Sequence, residues 1–132
     1  MKRTVLAILT LAVIAVAVPT RAHHSFAATY DESKNVKIEG RLVQFLFRNP
    51  HSFVHVMAPD GSGQEQRWAI EWGGAGQLAG QGVTRETLKP GDVVVITGNP
   101  GRNPAEHRIR MVTLRRPSDG FGWGDREGEV VN

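Results

Sequence analysis

The chain contains no cysteine among its 132 residues. That excludes disulfides, thiolate metal sites and thiol nucleophiles, so a small domain of this sequence must hold together without cross-links. Long hydrophobic runs are nearly absent too. The only one, Thr4 to Val18, is too short for the about 20 apolar residues of a comfortable bilayer span. Excess charge of one sign disappears on inspection. The formal +3 depends on Lys2, Arg3 and Arg21; without them 13 of the 16 basic residues face 13 acidic ones. A neutral domain lacks the basic footprint on which nucleic-acid binding leans, so composition argues against that partner.

What is present begins at the amino terminus. Lys2 and Arg3 precede the apolar run, and Thr20-Arg21-Ala22 places small residues at −3 and −1 of a cleavage site, the layout of a secretory signal peptide. The expectation is a leader over residues 1–22 and a mature chain starting His23-His24-Ser25-Phe26, in the periplasm or outside the cell with no membrane span left. About 110 residues then remain, enough for one domain with a modest core.

Residues 23–35 are polar and mixed, and read as an N-terminal arm. From Val36 the apolar residues recur with period two, the strand signal. Val36 and Ile38, then Val43, Phe45 and Phe47 beyond an expected bulge at Gly40, share the inner face of one long strand. Asn49-Pro50 marks a turn. A second strand runs from Ser52 to Met57, and Pro59-Asp60-Gly61-Ser62-Gly63 forms a hairpin turn. A third, Gln66 to Trp72, puts Trp68, Ile70 and Trp72 on one face and Arg67, Ala69 and Glu71 on a solvated one. Residues 74–89 read as one or two short helical turns, followed by strands at Val93–Thr97 and His107–Arg115. The expectation is an all-β fold over residues 36–116, a small five-stranded OB-like barrel with a short helix between strands three and four, an open sandwich-like sheet being the alternative. Residues 117–132 read as a Gly-rich flexible tail, with Phe121 and Trp123 able to fold back.

Four segments together resemble a known family: His23-His24-Ser25-Phe26-Ala27-Ala28-Thr29-Tyr30-Asp31, Arg48-Asn49-Pro50-His51, Trp68 through Glu71-Trp72-Gly73, and Leu88-Lys89-Pro90-Gly91-Asp92. They resemble an uncharacterised family of small exported bacterial proteins, over roughly residues 22–116. The resemblance implies a periplasmic or secreted bacterial protein. It carries no established activity, so no site residue is inherited from it.

Histidines dominate the candidate chemistry. A terminal His23 offers an α-amine and an imidazole on one residue, and an amine with a pKa near 8 gives up its proton to copper readily. His24 offers a second route through the intervening amide, and nitrogen donors of this kind suit Cu(II). The third-position histidine of the common amino-terminal copper motif is replaced by Ser25. His51 and His55 form a second group, with Met57 as a soft ligand on the same strand face. On a strand, residues four apart lie roughly 13 Å from each other, so one ion shared by His51 and His55 is disfavoured, and His51 or His55 with the arm, or with a cross-strand residue about 5 Å away, is the better site. His107 could approach either group. The plain alternative is solvated arm histidines and hydrogen-bonded strand histidines.

Phe53, Trp68 and Trp72 are candidates for a ligand or partner platform, against the plainer reading that large aromatics at period two are core. No nucleophile–base pair or paired carboxylates stand out, and Gly73-Gly74 is followed by no phosphate-loop pattern. The expected role is therefore an exported, non-enzymatic binding protein, holding copper through His23 with His24, His51, His55 and Met57 as further ligands. The alternative is a cofactor-free module that binds a periplasmic protein or a small ligand. Mass spectrometry of the exported protein is expected to find His23 first; any other start would remove the terminal amine and imidazole from the site.

Overall fold

Period-two alternation becomes five barrel strands and one short addition in the computed structural model, which describes residues 25–131. Residues 1–22, expected to be a leader, and His23 and His24 lie outside the described residues. The elements are helix α1 (Phe26–Thr29), β1 (Val36–Leu46), β2 (Phe53–Pro59), β3 (Glu65–Glu71), helix α2 (Ala75–Gly80), β4 (Val93–Pro100), a 3-10 turn (Pro104–Glu106), β5 (Arg108–Arg116) and β6 (Phe121–Trp123). The sheet runs β3-β2-β1-β4-β5-β6, and β3 pairs with β5 to close it. All pairings are antiparallel except β3–β5, which is parallel over Ala69–Glu71 and Arg108–Arg110. This is the closed five-stranded OB-type barrel, with its helix between β3 and β4. Among the described residues no helix is long and apolar enough to cross a membrane.

The inward residues alternate as the pattern requires: Val54, Val56 and Ala58 on β2, Val94 and Ile96 on β4, Ile109 and Met111 on β5. On β1 the parity change falls later than Gly40. Leu42 pairs with Val56 and Gln44 with His55, so Val43 is the bulged residue; Leu42 is buried and Val43 exposed, opposite to a bulge at Gly40. Gly40 serves a different end. A Cβ there would strike the carbonyl oxygen of Met57, and one at Gly98 that of Arg110. Both glycines let strand backbones meet closely where the barrel turns its corners.

One segment departs from the sequence reading. The tail is not loose over its first part, because β3 covers only the start of β5 and leaves an edge at Leu114–Arg116. Phe121–Trp123 occupies that edge, a common remedy for an unpaired strand. Trp123 is buried against Trp72, ring centroids 5.1 Å apart at 78°, and its indole donates to Gln81 Oε1 at 3.1 Å. Trp72 is fully buried as well, so it belongs to the core and not to a binding platform.

The arm is also docked. Asp31 N donates to Pro100 O and Arg102 N to Thr29 O, and Tyr30 is fully buried beside Gly101. Its hydroxyl donates to Glu71 Oε2. Burial first, and then that bond and the Glu71 charge, hold the phenol well above its ordinary pKa of 10, against the opposing pull of Arg108. An unfolded chain loses this proton near pH 10 while the folded one keeps it. The stability that Tyr30 contributes is therefore whole below pH 10 and declines as the pH climbs past it.

Truncating Trp123 to Ala is expected to cost about 3–5 kcal/mol in chemical denaturation; a loss under 1 kcal/mol would return the tail to a loose appendage. Tyr30 is the single tyrosine, so absorbance at 295 nm follows it alone. Its ionisation is expected to be absent at pH 10–11 in the folded protein and to appear near the ordinary value in guanidinium; a midpoint near 10 without denaturant would mean the arm is undocked.

Candidate functional site

The turn between β1 and β2 is clamped from one side. Ser52 is fully buried; its N–H donates to Gly73 O at 3.0 Å, and its O accepts from Trp72 N at 2.8 Å. Arg48 O accepts from Ala75 N, and Asn49 Oδ1 from Gly76 N. A Cβ on Gly74 would meet Pro50 O and Asn49 Oδ1. The glycines after β3 therefore admit the turn residues 48–51 against the start of α2. The register of β2 on β3, with Phe53 opposite Glu71, then brings His51 beside the Glu71 carboxylate.

Glu71 is the centre of the arrangement. It points outward from the barrel, as alternation demands, yet it is only 9% exposed because the arm lies over it. Its Oε1 accepts from His51 Nδ1 at 2.5 Å, and its Oε2 from the Tyr30 hydroxyl and from Arg108 Nη2, the latter at 3.3 Å. A carboxylate taken from water is tolerated only with such donors. With Nδ1 donating, the free position on His51 is Nε2.

The ring of His51 lies 5.4 Å from that of Phe26 on α1. Both line a cleft of about 1070 Å³ together with Ser25, Arg48, Phe53 and Arg110. Three guanidiniums border it, each laid over an aromatic ring: Arg48 over Phe53 at 5.5 Å, Arg108 over Tyr30 at 5.7 Å and Arg110 over Phe26 at 3.8 Å. Arg110 also pairs with Glu32 at 2.6 Å. The site thus joins arm, turn, β3 and β5.

Of the sequence-based candidates, His51 and Phe53 reach this cleft, while His23 and His24 lie outside the described residues. His55 and Met57 do not reach it. They sit half-buried on the outer face of β2, opposite Ala69 and Arg67. Burial first, and then the charges of Arg67 and Arg48, lower the His55 pKa, which favours the neutral imidazole. His107 is elsewhere again, in a left-handed conformation at φ 47°. There it packs on Trp68 at 5.2 Å, with its Nε2 3.9 Å from Asp60 Oδ2, in a separate depression of about 590 Å³. Trp68 is half-buried, its indole donating to Ala58 O at 3.1 Å. No cluster of three or more His, Asp or Glu placed to hold a metal occurs among the described residues.

Glu71, Tyr30, Arg108 and Arg110 are site residues that alternation alone assigns to a solvated face or an arm. A signal for Glu71 exists in its place: a lone acid within the run Trp68-Ala69-Ile70-Glu71-Trp72, where a charge needs a partner.

A solved structure of a mitochondrial single-stranded DNA binding protein from S. cerevisiae, Rim1, is similar at 15% identity and a TM-score of 0.46, over 63% of this chain and 92% of that one. No curated protein matches the chain. A family model matches residues 11–110, most of the chain and every barrel strand through the first part of β5. On that match the chain belongs to a family of unknown function, DUF6152.

Proposed function

We propose that this protein is an exported binding protein that holds one transition-metal ion, copper, at the mouth of the His51 cleft. The observation that carries the reading is the pairing of His51 Nδ1 with the buried Glu71 carboxylate beside a cleft that Ser25 also lines. A carboxylate on one ring nitrogen fixes the tautomer and raises the basicity of the other, the usual support behind a metal-bound imidazole. The two residues before Ser25 are His24 and His23. After cleavage behind Ala22, the amine and imidazole of His23 would join His51 Nε2 as a three-nitrogen set, with His24 alongside. Such nitrogen donors favour Cu(II) over the other common divalent ions.

His55 and Met57 take no part in this set. The proposed role is binding.

Calorimetry with Cu(II) on protein beginning at His23 tests the reading. One ion per chain is expected, with affinity falling sharply on His51→Ala and on adding one residue before His23. Glu71→Gln, which removes the support and leaves the ligand, is expected to weaken binding about 10- to 100-fold. Affinity indifferent to both His51→Ala and the extra residue would discard copper at this site and favour a cofactor-free interaction module.

A further inference from the structure

Charge is distributed unevenly around the cleft in a domain that is otherwise balanced. Three guanidiniums line it, those of Arg48, Arg108 and Arg110, against one carboxylate, Glu71. That carboxylate is already spent on three donors. Arg110 is held by Glu32 and by the Val131 carbonyl, and Arg108 is shared between Glu71 and Glu106. Arg48 has no acidic partner and no side-chain hydrogen bond among the described residues. Its guanidinium carbon lies over the Phe53 ring, 5.5 Å from the centroid. A guanidinium with no protein acceptor keeps its planar N–H fork open, and that fork can receive a carboxylate through two parallel bonds.

The walls add a second requirement. Phe26 and Phe53, both half-buried, place apolar ring surface beside the cations. The volume of about 1070 Å³ is that of a small-molecule site. A bare inorganic anion would satisfy the charge and leave the rings wet, whereas an anion with a flat apolar body satisfies both.

We infer that the cleft binds a small organic carboxylate, its carboxylate on the Arg48 fork and its apolar body against Phe53 and Phe26. The bound anion also offsets the guanidinium charge that a metal ion at His51 would meet. The inference does not rest on copper, since the residues that hold the anion are distinct from the proposed nitrogen ligands.

Titration of chelator-treated, metal-free protein with benzoate as the probe separates the two readings. Benzoate is expected to bind, more weakly as salt rises, while benzyl alcohol, the same ring without the charge, binds at least tenfold less tightly. Arg48→Gln is expected to weaken benzoate about tenfold or more. Arg67→Gln, on the outer sheet face where its guanidinium meets Gln44, is expected to leave it unchanged. The inference is overturned if benzoate fails to bind at millimolar concentration, if benzyl alcohol or inorganic phosphate binds as tightly, or if Arg67→Gln weakens benzoate as much as Arg48→Gln does.

Discussion

Glu71 carries its charge in a place that water barely reaches, and three separate pieces of chain supply the donors that make this tolerable: Tyr30 from the arm, His51 from the turn before β2, and Arg108 from the start of β5. Removing one partner from a buried charge costs more than forming the pair yields, because the charge that is left has no solvent to turn to. The carboxylate therefore couples the position of the arm to the position of His51. An arm that left the barrel would strip Glu71 of one donor and expose the Phe26 ring at the same time. The cleft exists only while the arm is docked.

Barrel closure sets the stage for this contact. The parallel pairing of β3 with β5 brings Glu71 opposite Arg110 and next to Arg108, residues 37 or more positions apart in the chain. An open sheet would leave β3 and β5 toward opposite edges, with Arg108 and Arg110 far from Glu71 and from Arg48. The same closure explains the two glycines at tight strand crossings and the capture of Phe121–Trp123 on the stretch of β5 that β3 leaves free. With no cysteine available, packing such as that of Trp72 against Trp123, edge to face, ties the tail to the barrel.

Alternation made most of the barrel legible. Each of the five strands lies where period two places it, within two or three residues, and the helix sits in the gap between the third and fourth. The bulge was misplaced by three residues because a glycine in a strand has two physical causes, an extra residue or a close backbone neighbour, and Gly40 has the second. The tail's Gly-rich, charged composition reads as loose with Phe121 and Trp123 able to fold back, and the fold-back is decided by a long-range contact of Trp123 with Trp72 that no local pattern encodes.

The candidate site divides along the same line. The sequence alone marks His51 beside a turn, Phe53 on the following strand and a resemblance to the family the chain belongs to. It also assigns Glu71 correctly to the outer face, since parity along a strand is a local property. Whether an outer face meets solvent is not local. The arm covers one end of it, so Glu71 becomes a buried hub while His55 and Met57, on the same outer face of the sheet, stay away from the cleft. Tertiary structure alone decided which outward residues were sealed, because burial depends on what another segment of the chain lays over them.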